Sequence, residues 1–227
     1  MYGNTDTLLG HVGYTKNEWS SSEYYKQVIN FLSEKKIKSF VDIGSCTGVL
    51  YEILSNKIPS IEFAVLVEAN PNNFNFIKEK LNNFKNVNIV NNALFYGEET
   101  IKIGAVNRNV GAWSYKSDLN SIEIKTITFE EIISRYFNSV DLPDFVKIDI
   151  EGAEYNFLEN SEKLKEVPYI EIEFHNNDEY GVFEGSLIPR NKIWRPLIEK
   201  FLPNHELILG GVEEFYDGSA LLKLKNI

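Results

Sequence analysis

"FVDIGSCTGVL", residues 40–50, decides the fold. Phe40 to Ile43 is a short apolar run broken only by Asp42. Gly44 and Gly48 bracket a turn, and Val49 and Leu50 begin an apolar helical pattern. A buried strand passing through glycines into a helix is the opening unit of an open α/β sheet. Ligands on such sheets bind outside the carboxyl ends of the strands, where strand order reverses. The two glycines are expected to let the backbone approach a ligand and the helix start tightly.

The pattern repeats downstream. "EFAVLVEA", residues 62–69, is a second strand, also ending at an acid, Glu68. Asn70 and Pro71 form an N-cap and N1 pair for a helix through Leu81. "NVNIVNNAL", residues 86–94, is a third strand. Upstream, Ser20 and Glu23 have capping-box spacing for a helix over 23–36, with Val28, Ile29 and Leu32 on its buried face. Residues 98–128 carry short alternating runs, "ETIKIGAV" and "IEIKTITF", around "NRNVGAWSYKSDLNS", and read as a hairpin or loop insertion. A helix over 129–138 follows. "DFVKIDIEG" (144–152) and "YIEIEFH" (169–175) are a fourth and a fifth strand, joined by a helix over 153–165. A helix over 191–202 precedes "HELILGG" and "GSALLKLK", an antiparallel pair. The expected fold is α/β, a Rossmann-like, mostly parallel sheet with helices on both faces and a small hairpin insertion.

Composition narrows the function. Of 227 residues, 43% are hydrophobic and 25% charged, ordinary for a globular chain. The net charge of -10 disfavours a nucleic-acid surface and suits a cationic ligand. The single cysteine, Cys46, leaves no disulfide within the chain, which fits a reducing compartment. No apolar run of about 18 residues indicates a membrane span, so the expected location is cytoplasmic.

The glycine turn discriminates between cofactors. The dinucleotide spacing Gly-x-Gly-x-x-Gly is absent, because Cys46 stands at the middle position. Asp42 would repel a pyrophosphate and attract a ligand carrying an ammonium and a sulfonium. Glu68 lies 20 residues beyond Gly48, where a carboxylate accepts hydrogen bonds from ribose hydroxyls. Asn92 and Ala93, after the third strand, are placed to meet an adenine edge. With Ser45, Cys46 and Ala69 they make a binding set for S-adenosylmethionine, not NAD.

On these residues the chain resembles the class I S-adenosylmethionine-dependent methyltransferases, and among them the FkbM family. The carrying stretches are "FVDIGSCTG", "VLVEANP", "IVNNAL", "IKTITFEEII", "VKIDIEGAEYNFLEN" and "YIEIEFH", in order across residues 40–175. "KIDIEGAE" is the most specific of them. The resemblance implies a seven-stranded sheet with six strands parallel and the last antiparallel. It also implies methyl transfer to oxygen, often a hydroxyl of a sugar, a glycan or a glycosylated small molecule. It divides the chain into an N-terminal helical segment, 1–38, on the substrate side, and a methyltransferase domain, 39–227. Residues 1–38 and 176–205 lie outside the matching stretches, and acceptor specificity is expected there.

Transfer from a sulfonium is an in-line displacement that needs the acceptor held about 3 Å from the methyl carbon. A sugar hydroxyl gains from a general base. Asp149, Glu151 and Glu154 surround the end of the fourth strand, while Glu171, Glu173 and His175 alternate along the fifth. The expected base is a neutral His175 oriented by Asp149, with Glu173 beside it. Asp149 also borders the cofactor. A second reading makes Asp149, Glu173 and His175 ligands of Mg²⁺ or another divalent ion. Asn109, Trp113 and Ser114 of the insertion could cover the cofactor or line an acceptor pocket. Tyr180, Phe183 and Trp194 could stack on a sugar.

Overall fold

A computed structural model describes residues 22–105, 113–114, 121–137, 141–175, 190–210 and 219–227. Its main sheet contains β1 (Ser39–Ile43), β2 (Phe63–Val67), β3 (Val87–Val90), β8 (Phe145–Ile148), β9 (Tyr169–Glu173), β10 (His205–Gly210) and β11 (Ser219–Leu224). The strand order is β10-β11-β9-β8-β1-β2-β3. β11 runs antiparallel to both of its neighbours, and the other strands are parallel to one another. The chain moves outward from β1 through β2 to β3, then crosses back to β8. Strand order therefore reverses between β1 and β8, where a ligand crevice forms.

Both faces of the sheet are covered, which is why the central strands read as apolar runs rather than alternating ones. One face carries α1 (Glu23–Ser33), α2 (Val49–Lys57) and α3 (Pro71–Lys80), with Leu32, Phe40, Tyr51, Leu54, Leu66 and Ile77 between the layers. The other carries α4 (Phe129–Tyr136), α5 (Glu154–Asn160) and α6 (Arg190–Phe201), packed through Val41, Phe129, Ile133, Phe157, Ile172 and Leu197.

The caps explain most helix starts. Asn70 Oδ1 accepts from Asn72 N at 2.9 Å, with Pro71 next in line. Thr128 and Glu131 form a reciprocal capping box for α4. For α1 the cap is Ser22, whose side chain accepts from Tyr25 N; the expected partner, Ser20, lies outside the described residues. The helix expected over 153–165 stops at Asn160 and resumes as a 3₁₀ turn, Lys163–Glu166. Ser161 causes the break: its hydroxyl donates to Glu130 Oε1 at 2.9 Å and accepts from Leu164 N.

The third strand is also shorter than expected. It ends at Val90, and Ala93–Leu94 forms β4 of a second sheet. Two asparagines hold the departure. Asn91 Nδ2 donates to the carbonyls of Glu68 and Ala69, and Asn92 Nδ2 to those of Lys125 and Thr126. The insertion contains the expected antiparallel pair, β5 (Thr100–Ala105) with β7 (Ile122–Ile127). β4 and β6 (Trp113–Ser114) enlarge it to a four-stranded sheet, β4-β7-β5-β6.

Candidate active site

The carboxyl ends of β1, β2, β8 and β9 meet at one edge. At β1 the turn is fixed by backbone bonds to β2: Gly44 N and Ser45 N both donate to Val67 O, at 2.9 and 3.1 Å. Ser45 Oγ donates to the same carbonyl at 2.9 Å. Gly44 is required by protein packing. Its φ is +79°, and a Cβ there would lie 1.7 Å from the Asp149 carbonyl oxygen. Gly48 opens α2 with φ +69°. Between them Cys46 adopts φ 51°. Burial and the nearby Glu68 push its thiol up to about 12, so it is an inert turn residue.

Glu68 is the clasp of this turn. One carboxylate oxygen accepts from Cys46 N at 2.7 Å and the other from Asn70 N at 2.8 Å. Burial nevertheless pushes the carboxyl up to about 7, against the pull of those two bonds. Each oxygen keeps a second lone pair for an incoming hydroxyl. Glu68→Ala is therefore expected to do more than weaken ligand binding. Orphaning two backbone N–H groups should lower the stability of the ligand-free protein by about 1–3 kcal/mol. A urea melt unchanged from wild type would show that the clasp is dispensable.

Asp42 and Lys147 lie side by side in register on β1 and β8, and Glu171 continues the row on β9. All three are buried. Lys147 Nζ donates to Asp149 Oδ2 at 2.9 Å and to the Gly44 carbonyl at 3.1 Å, and stands 3.8 Å from Asp42 Oδ1. Burial alone would lower its proton affinity; Asp149, Asp42 and Glu171 outweigh that and hold it charged. Neither carboxylate oxygen of Asp42 has a hydrogen-bond partner among the described residues. Burial pushes this acid up to about 6, opposed by Lys147. A cleft lies at this point, lined by Asp42, the 44–47 turn, Lys147 and Asp149. Tyr24 of α1 reaches the far end of the row, its hydroxyl donating to Glu171 Oε1 at 3.3 Å.

The second cluster surrounds His175. Its Nδ1 lies 2.8 Å from Glu154 Oε1, and its Nε2 lies 3.5, 3.8 and 3.9 Å from Glu151, Asp149 and Glu173. Fully buried Glu154 also accepts from Ile150 N and Gly152 N, at 3.0 and 2.9 Å. It pins the loop that places Glu151, which sits at φ 53°. Burial would lower the His175 proton affinity, but Glu154, Asp149 and Glu151 raise it to about 11. These carboxylates favour the charged imidazole, where a neutral one was expected as the base. Its orienting carboxylate is Glu154, not Asp149. Burial, then Asp149, pushes Glu173 up to about 7, and burial does the same for Glu151. The donor atoms that converge within 4.8 Å belong to Asp149, Glu151 and His175, so Glu151 replaces Glu173 in the set expected to hold a metal.

The remaining expected residues are placed unevenly. Asp42, Ser45, Cys46, Glu68 and Asp149 gather at the crevice. Asn92 and Ala93 are engaged with the second sheet, where Ala93 pairs with Thr126. Asn109, Tyr180 and Phe183 lie outside the described residues, as do the side chains of Trp113, Ser114 and Trp194. Lys147 was not anticipated. The signal was there: a lysine inside a buried apolar strand needs a partner, and Asp149 stands two residues on.

Residues 42–206 match the methyltransferase FkbM domain. The chain belongs to the FkbM methyltransferase family. Known structures agree with the fold. The FkbM methyltransferase from Methylobacillus flagellatus is similar at TM-score 0.50 and 15% identity, over 83% of this chain and 44% of that one. Trm1 from Pyrococcus horikoshii, solved with S-adenosyl-L-methionine, has TM-score 0.58 at 15% identity, over 99% and 58%. A putative caffeoyl-CoA O-methyltransferase from Staphylococcus aureus has TM-score 0.51 at 13% identity, over 88% and 82%. This FkbM chain thus spans less than two thirds of the first and second of these structures. No curated protein matches it.

Proposed function

We propose that this FkbM protein transfers a methyl group from S-adenosylmethionine to a hydroxyl of a sugar, glycan or glycosylated small molecule. The observation that carries the reading is Asp42. It is a buried carboxylate beside the cleft, without a hydrogen-bond partner among the described residues, where a methionyl ammonium would complete it. Glu68 would receive the ribose hydroxyls, and the turn at 44–48 would hold the methionyl end.

In this reading the acceptor lies over β8 and β9. Glu173 takes the hydroxyl proton as the acceptor oxygen attacks the methyl carbon and the sulfonium leaves as a thioether. His175, held charged by Glu154, balances the carboxylates around it. Lys147 and the His175 imidazolium supply the positive charge that a divalent ion would bring, so no metal is invoked. The net charge of -10 supports a small neutral or cationic acceptor over a polyanion. No helix among the described residues is long and apolar enough to cross a membrane. The single cysteine suits a reducing compartment, and a cytoplasmic location belongs to the proposal. The acceptor side would draw on residues 1–38 and 176–205, of which 1–21 and 176–189 lie outside the described residues.

The competing function is a binding module without catalysis. The acids at the ends of β8 and β9 weigh against it, because a pure binder has no use for a buried charge cluster there. The test begins with the cofactor. S-adenosylhomocysteine at 100 times its dissociation constant should stabilise the protein by about 2.7 kcal/mol, visible as a raised melting temperature, while NAD should not. A shift with NAD alone would sink the methyltransferase reading. Methyl-labelled cofactor with a saccharide panel, read by mass spectrometry, then separates an enzyme from a binder.

A further inference from the structure

We infer that Lys147 is the positioning residue of the cofactor pocket: its ammonium ties the Gly44 carbonyl to Asp149 and offsets one of two carboxylates, leaving a single negative charge for the cationic methionyl end. The inference rests on the S-adenosylmethionine reading and deepens it.

The geometry is specific. Lys147 Nζ makes one bond to the turn that opens the pocket and one to the acid at the acceptor edge, at 3.1 and 2.9 Å. It therefore fixes the two halves of the site relative to each other. Three ammonium protons meet the Gly44 carbonyl, Asp149 and, less closely, Asp42. The side chain is buried. Without it, Asp42 and Asp149 would face each other across the β1–β8 pairing with no cation between them, and like charges at such range drive one of them to take up a proton. A protonated Asp42 no longer attracts an ammonium.

The groups facing Asp42 and Lys147 come from every neighbouring strand. Asp149 and Glu151 stand on the β8 side, Glu171 and Glu173 on β9, and Glu68 after β2. Tyr24 of α1 enters through Glu171. Apart from His175, Lys147 is the cation these acids share among the described residues.

The sign follows from the ligand needing ionised Asp42. In wild type, affinity for S-adenosylhomocysteine should fall as pH drops through about 7, where Glu68 takes up a proton, and further through about 6, where Asp42 does, each step by at most about tenfold per pH unit. Titration calorimetry from pH 5 to 9 reads this directly. In Lys147→Met the fall should begin at least about one pH unit higher, with affinity recovering at pH 9. A merely structural role would lower the melting temperature and leave the midpoint of the affinity–pH curve in place; an unmoved midpoint overturns the inference. Should Lys147→Met not fold, Asp42→Asn decides. It removes the Asp42 proton while leaving Lys147 on Asp149 and Gly44, so its weaker binding should lose the step near pH 6 and keep only that of Glu68. A step near pH 6 that persists in Asp42→Asn overturns the inference. Wild-type protein that binds S-adenosylhomocysteine at no pH overturns the cofactor reading itself, and the Lys147 role with it.

Discussion

Glu154→Ala is expected to destabilise the protein by about 3–5 kcal/mol, the range for removing one partner of a buried ion pair. The size reflects three losses at one buried carboxylate: the acceptor for Ile150 N, the acceptor for Gly152 N, and the partner of the His175 imidazolium. Glu154→Gln keeps one acceptor oxygen but loses the charge and puts an NH2 donor where the other oxygen accepted, so it should fall between alanine and wild type. Urea unfolding measures both. An alanine variant within about 0.5 kcal/mol of wild type, the range of an ordinary surface substitution, would mean that the loop over 149–153 holds itself.

The second large effect concerns turnover. Glu173→Gln should slow methyl transfer to a competent acceptor by about 10²–10⁴-fold, the usual share of a general base. Affinity for S-adenosylhomocysteine should change little, because the proposed place of the cofactor is over β1 and β2. Wild-type rate should rise with pH through about 7, as the carboxyl loses its proton. Asp149 raises that transition, and His175 and Lys147 lower it. A rise tracking His175 would instead fall near pH 11, so the two assignments separate cleanly. EDTA should leave the rate unchanged. Loss of activity on chelation, restored by Mg²⁺, would move the chemistry onto a metal and end the Glu173 account.

The strand–turn–helix unit at 40–50 and the cap at Asn70 were legible because each is local: a few residues fix the backbone whatever surrounds them. The gathering of Asp42, Glu68 and Asp149 was legible too, since strand ends in an open α/β sheet share an edge. What stayed hidden depends on contacts made across the fold. The break at Ser161 needs Glu130, which lies 31 residues earlier. The departure of the chain after Val90 needs the carbonyls of Lys125 and Thr126. Glu154 reads in the sequence as an ordinary first-turn acid, and only tertiary burial turns it into the partner of His175. Burial would favour the neutral form of that histidine, but the carboxylates the fold gathers around it outweigh desolvation and favour the charged one.

The position of β11 governs the order in which the sheet can assemble. It lies between β9 and β10, although it follows both in the chain. A nascent polypeptide that has already made β9 and β10 cannot pair them with each other; their shared neighbour, Ser219–Leu224, has yet to emerge. Until then the β9 edge, with Ile170 and Ile172, presents unpaired backbone groups of the kind that template association with other chains. The same strand carries Glu171 and Glu173, so this side of the crevice is completed last. Gly210 suits this late insertion: a Cβ there would sit 2.2 Å from the Ser219 carbonyl oxygen. Synthesis, rather than the finished thermodynamic balance, is therefore where this architecture is most exposed to misassembly.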